Sequence, residues 1–74
     1  MLKVFKNFAL MEEEGKLINL TEIAYINTYY SANSRKYLLD ITFKQMDGFE
    51  IPYDSLAEAE ARLHDIYKAI GVMK

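Results

Sequence analysis

From Leu56 onward the apolar residues Leu56, Ala59, Leu63, Ile66 and Ile70 recur three and four positions apart, which predicts a helix over 56–70 with one apolar stripe. No other stretch keeps that period, so any sheet upstream has one helix to cover it. Ser55, followed three residues later by Glu58, reads as a capping box, in which hydroxyl and carboxylate each satisfy an N–H that the first turn leaves unpaired. Gly71 is placed to stop the helix in the left-handed conformation of a C-cap, with Val72 folding back on the last turn. Opposite the stripe lie Glu58, Arg62 and Asp65, flanked by Glu60, His64 and Lys68. Glu58 and Arg62 form an i,i+4 pair of favourable orientation, and this face is expected to meet solvent.

Upstream the period falls to two. Tyr37, Leu39, Ile41 and Phe43 alternate with Leu38, Asp40, Thr42 and Lys44, a half-buried strand within 36–45, and Phe49, Ile51 and Tyr53 mark another over 49–53. Residues opposite each other in an antiparallel pair share a face, so the Met46-Asp47-Gly48 connection constrains the register. A two-residue Asp-Gly turn would set Ile51 against Lys44. A three-residue loop pairs Gln45 with Phe49, Phe43 with Ile51 and Ile41 with Tyr53, which keeps the apolar sets together. The expectation is therefore a three-residue hairpin with Gly48 left-handed in a bulge. Pro52 cannot donate to a ladder, so its strand belongs at a sheet edge.

Two further strands are expected over 3–10 and 16–20, joined by Glu12-Glu13-Glu14-Gly15, with Thr21-Glu22 bending the chain into a strand over 23–30. In that last strand Ile23, Tyr25 and Tyr29 compete with Ala24, Ile26 and Tyr30 for the inner face, and the pattern does not choose. The sum is an α+β domain spanning 1–74, an antiparallel meander of four to five strands followed by one C-terminal helix packed on one sheet face.

A chain of 74 residues buries only about 60% of the surface its unfolded form exposes. With 51% apolar residues, some must lie on the surface or in a subunit contact, and self-association is the natural remedy. The net charge is −2 with Lys and Arg scattered, which argues against a polyanionic partner such as nucleic acid. Cysteine is absent, which leaves no disulfide, thiolate nucleophile or cysteine zinc site and suits a reducing cytoplasm. The apolar run after Lys3 and Lys6 is broken by Asn7 and ends in Glu12-Glu13-Glu14, so neither a signal peptide nor a membrane span is expected.

The run Gly15-Lys16-Leu17-Ile18-Asn19-Leu20-Thr21-Glu22-Ile23, the apolar strand, the Asp47-Gly48 hairpin and the Ala/Glu helix together resemble a pattern common in short bacterial and phage proteins. The pattern is similar to FlbD-like flagellar proteins and, more distantly, to the first half of LytTR-type DNA-binding domains. The resemblance implies a meander-plus-helix fold. The basic second half that gives LytTR-type domains their DNA contacts has no counterpart here, so DNA binding is not implied.

Tyr29, Tyr30, Asn33, Arg35, Lys36 and Tyr37 form the one local concentration of aromatic and cationic side chains and are expected at a hairpin tip. Tyrosine supplies contact area at low entropic cost, which suits protein binding or base stacking, although strands recruit tyrosine for structural reasons alone. His64 and Asp65 point about 100° apart on a helix and make no acid-base pair. Ser31, Ser34 and Ser55 find no base within the sequence pattern, so no catalytic residue is assigned. Glu12, Glu13 and Glu14 lack the spacing of a calcium loop and read as a solvated turn, and no metal or cofactor is expected. The resulting expectation is a small non-enzymatic interaction module that pairs with itself, as a homodimer, or with another protein. The alternatives are a single-stranded nucleic-acid or nucleotide binder stacking bases on the tip, and an inhibitor or adaptor from a mobile element.

Overall fold

A computed structural model describes residues 2–73, with side chains over 2–71. The architecture is α+β, with two three-stranded antiparallel sheets followed by one helix. The first sheet holds β1 (Leu2–Phe5), β2 (Phe8–Met11) and β3 (Lys16–Asn19) in that order, and the second holds β4 (Ile23–Ser31), β5 (Lys36–Phe43) and β6 (Phe49–Tyr53). Helix α1 runs over Leu56–Met73. The strands therefore number six in two sheets, where one meander of four to five was expected.

The expected strand over 3–10 is in fact a hairpin, with Phe5 opposite Phe8 across Lys6 and Asn7. Neither turn residue is glycine, which is why the sequence conceals it. Lys6 nonetheless takes a positive φ of 53°, and the Asn7 carbonyl accepts the Leu20 amide at 2.7 Å, tying the turn to the end of β3. A 3₁₀ turn at Leu20–Glu22 then leads into β4, where Asn19 Oδ1 accepts hydrogen bonds from both the amide and the hydroxyl of Thr21.

The ambiguity in β4 has a structural origin. Ile23 pairs with Phe43, yet Tyr25 pairs with Thr42, so Ala24 is an extra residue that shifts the register. Ile23 lies on one side of that bulge, and Ile26, Thr28 and Tyr30 on the other. All four are opposite inner-face residues of β5, and Ile23 and Ile26 both pack on the core. Each apolar set is thus right for part of the strand.

Between β5 and β6 the register differs from the three-residue hairpin. Leu39 opposes Ile51, Ile41 opposes Phe49 and Tyr37 opposes Tyr53. The slip from the expected pairing is four residues, an even number, so the faces are as argued and the loop is longer. Gly48 is not left-handed. A Cβ there would lie 1.9 Å from the Ile41 carbonyl oxygen, so the position needs glycine because the loop backbone runs directly against β5. Pro52 does lie on an edge strand, opposite Leu38.

Ser55 caps α1: its hydroxyl accepts the Glu58 amide at 3.2 Å and its carbonyl the Ala59 amide at 3.3 Å. Gly71 does not stop the helix, which continues through it to Met73 without a positive φ at the glycine. The Val72 side chain lies outside the described residues. Ala59, Ile66 and Ala69 are buried, with Leu63 and Ile70 half-buried, whereas Leu56 is exposed rather than part of the stripe. Ile66 and Ala69 join Leu39, Ile41, Phe43 and Ile51 of the second sheet and Ala9, Met11 and Ile18 of the first in one continuous core. Lys16 completes the seam between the sheets, its ammonium 4.9 Å from the centre of the Phe49 ring.

Candidate functional site

The six residues of the expected tip fall on different surfaces. Tyr30 and Tyr37 oppose each other on the inner face of the second sheet, their ring centres 5.1 Å apart, beyond the end of the core. Tyr29 and Lys36 belong to the outer face, and Asn33 and Arg35 lie in the connecting turn. The turn is closed by the Arg35 amide on the Ser31 carbonyl at 2.8 Å, with Arg35 at a φ of 58°. Lys36 pairs with Asp54, and its ammonium holds the Asp54 carboxyl below the usual range. Tyr29 donates to Glu50 across the outer face, and that hydrogen bond pushes its hydroxyl up to about 12. The tip thus presents Tyr30 and Tyr37 on one face and Tyr29 and Lys36 on the other, and no single surface gathers all six residues.

A second arrangement lies on the helix face expected to meet solvent. Arg62 is the centre of it, with 11% of its side chain exposed. Its Nε donates to Glu14 Oε2 at 3.0 Å, one terminal nitrogen to Glu13 Oε1 at 2.6 Å and the other to Asp65 Oδ2 at 3.1 Å. The Tyr53 hydroxyl donates to the same Glu14 oxygen. Burial and the hydrogen bond to Glu14 push the Tyr53 hydroxyl well above its ordinary value. Burial alone would lower Arg62, but its bonds to Tyr53, Glu13 and Glu14 outweigh that and hold it above its ordinary value.

The Glu12–Gly15 turn is therefore not simply solvated. Gly15, with a φ of 69° and its amide on the Glu12 carbonyl at 3.2 Å, folds the turn back so that Glu13 and Glu14 reach α1. The expected Glu58–Arg62 pair gives way to Arg62–Asp65, because a guanidinium that is nearly buried takes the carboxylates that reach it there. The signal available in the sequence was composition: Arg62 is the one arginine of a helix rich in acid, and three glutamates crowd one turn. Around this network opens a cavity of about 700 Å³ lined by Glu14, Tyr53, Pro52, Glu58, Ala61 and Asp65.

No family model, curated protein or solved structure matches this chain.

The third arrangement is the outer face of the first sheet. Ala9, Met11 and Ile18 point to the core, so their neighbours Phe8, Leu10 and Leu17 point away from it. The cross-strand rows on that side are Lys3, Leu10, Leu17 and Phe5, Phe8, Asn19. Phe5 and Leu17 are 51% and 57% exposed, and the Phe5 and Phe8 rings stack at 6.2 Å. Lys3 is the one charge among these six residues, and it reaches Glu12 at 3.3 Å. The outer face of the second sheet differs in kind: Tyr25, Asn27, Tyr29, Asp40, Thr42 and Glu50 put polar atoms outward, and Leu38 is buried among them. His64 is exposed, and among the described residues no group of three or more histidine or acidic side chains is disposed to hold a metal. Nor does any helix among them have the length and apolarity to cross a membrane.

Proposed function

We propose that the chain is a small non-enzymatic interaction module that self-associates, as a dimer, through the outer face of its first sheet. The observation that carries this reading is the row of Phe5, Phe8, Leu10 and Leu17 on the side of the sheet away from the core. A second copy is the occupant because the face is complementary to itself: it is apolar, and its one cation is already neutralised within the chain by Glu12, so two copies meet without opposing charge. A two-fold contact over these rows would remove phenylalanine and leucine side chains from water. The absence of cysteine suits work in a reducing cytoplasm.

Sedimentation equilibrium on the full chain tests this. A dimer at micromolar concentration is expected, with Leu17→Glu and Phe5→Glu returning it to a folded monomer. A wild-type chain that stays monomeric at high micromolar concentration overturns the proposal, as does a dimer that both substitutions leave intact.

A further inference from the structure

Two three-stranded sheets leave four strand edges, and three of them are blunted. β1 and β3 are four residues long and carry Lys3 and Lys16, while β6 is five residues long and carries Glu50 and Pro52. Short length, charge and proline are the devices that keep an edge from pairing with another chain. β4 has none of them. It runs for nine residues without a charge, a proline or a glycine, and beyond the bulge at Ala24 the seven residues 25–31 keep an unbroken register with β5. Among the described residues β5 is its one ladder partner, so along about 23 Å of strand every second residue turns its N–H and C=O away from the sheet.

A row of alternating backbone donors and acceptors is matched by an extended backbone. We propose that β4 takes up an extended segment of another protein as a fourth strand of the second sheet, and that this segment is basic on the side it shares with Tyr25, Asn27 and Tyr29. The charge follows from the side-chain row that the new strand continues. On the outer face Asn27 opposes Asp40 and Asp40 opposes Glu50, so two carboxylates stand directly across from each other. No lysine or arginine among the described residues pairs with either. A lysine or arginine set opposite Asn27 lies two strand spacings, about 10 Å, from the Asp40 backbone, a gap that its stem and the aspartate side chain span together. On the inner face the same strand lies beside Ile26, Thr28 and the exposed ring of Tyr30, which calls for apolar residues at the intervening positions. A second copy is the poorer occupant. β4 has no cation to offer, and antiparallel pairing with itself would set two such carboxylate rows on one face. The edge is separate from the outer face of the first sheet, and its use does not depend on the dimer.

Titration of the isotope-labelled full chain, followed by amide shifts and hydrogen exchange, tests the edge with a blocked heptapeptide that alternates valine and lysine. Saturable binding is expected, with shifts centred on residues 25–31 and slowed exchange at the alternate β4 amides that exchange freely in the unbound chain. Two further peptides are N-methylated, one at every valine and one at every lysine. In a strand the valine N–H groups lie along one edge and the lysine N–H groups along the other, so one of these peptides should keep its affinity and the other lose it. A peptide with glutamate for lysine should bind more weakly. Asp40→Asn should weaken the lysine peptide roughly two- to fivefold, the worth of one exposed ion pair, with the melting temperature unchanged or raised because a like-charge contact is removed. The inference is overturned by no saturable binding, by protection of every β4 amide in the unbound chain, by equal binding of the two N-methylated peptides, by the glutamate peptide matching the lysine peptide, or by Asp40→Asn leaving the affinity intact. Protection of β4 that rises with protein concentration alone would give the edge to a second copy, and overturns it as well.

Discussion

Replacing Gly48 by alanine is the sharpest available test of how β6 is seated. The added carbon would stand 1.9 Å from the Ile41 carbonyl oxygen and 2.9 Å from both the Ile41 carbonyl carbon and the Thr42 Cα. The first distance falls short of ordinary contact by more than about 1 Å. The obstruction is backbone, so no rotamer change relieves it. Ile41 cannot retreat either, because it is fully buried and pairs with Ile26 on one side and Phe49 on the other. The loop must therefore lift away, which separates Ile41 from Phe49 and opens the Phe43–Phe49 ring contact at 5.7 Å. Overpacking of this kind costs about 1–3 kcal/mol, and with backbone on both sides the upper end, about 3 kcal/mol, is expected. For a chain of this length that corresponds to a loss of roughly 12–24 °C in Tm. Gly71→Ala is the matched control: it lies inside α1 with nothing within 4 Å of the added carbon, and should raise stability by about 0.5–1 kcal/mol. Urea and thermal melts followed by far-ultraviolet circular dichroism, at one protein concentration, measure both. A Gly48→Ala variant within about 0.5 kcal/mol of wild type, the range of an ordinary surface change, would refute the close approach.

Arg62→Met removes the guanidinium while keeping much of the stem, and should cost about 3 kcal/mol or more by leaving Glu14 buried without its partner. Adding Glu14→Gln to it should return a good part of that loss, a coupling that a double-mutant cycle in urea reads directly. Ultraviolet titration should find Tyr29 ionising near 12, and Glu50→Gln should bring it back toward the ordinary tyrosine range. Since both Tyr29 and Tyr53 are raised on folding, the stability they contribute is complete below the unfolded tyrosine pKa of about 10 and is lost as pH climbs through the folded values.

Local pairing of period with burial was legible in the sequence, and departures from regular structure were not. The alternation from Tyr37 to Phe43 and the stripe at Ala59, Leu63, Ile66 and Ile70 identify inner faces, because a side chain's direction follows from its position in a strand or helix. The parity of the β5–β6 register was legible for the same reason. Loop length was not, since a slip by an even number of residues leaves every face unchanged and so leaves no trace in the pattern. Lys6 turns the chain with a positive φ at a residue that seldom takes one, and Ala24 inserts a bulge that a fixed period of two cannot express. At Arg62 the failure was of another kind. The expected position opposite the stripe is wrong: Arg62 comes three residues after Ala59 and four before Ile66, both fully buried, and so lies at the edge of the inner face, where a loop distant in sequence completes its cover.

The two outer sheet faces bear on what the molecule is for. Both lack helical cover, so the contrast between them is chemical. The second sheet answers exposure with tyrosines whose hydroxyls remain wet or find Glu50, and it shelters Leu38 among them. The first sheet makes no such provision at Phe5, Phe8, Leu10 and Leu17. Its strands are four residues long, and three strands of that length have little stability of their own, so the sheet depends on the core it shares with β5 and α1. Any partner that covers the outer face binds only the folded chain and so adds to its stability by mass action. On the dimer reading proposed above, an apolar face on the less self-sufficient sheet would couple folding to association, from which a small domain with a thin margin gains most.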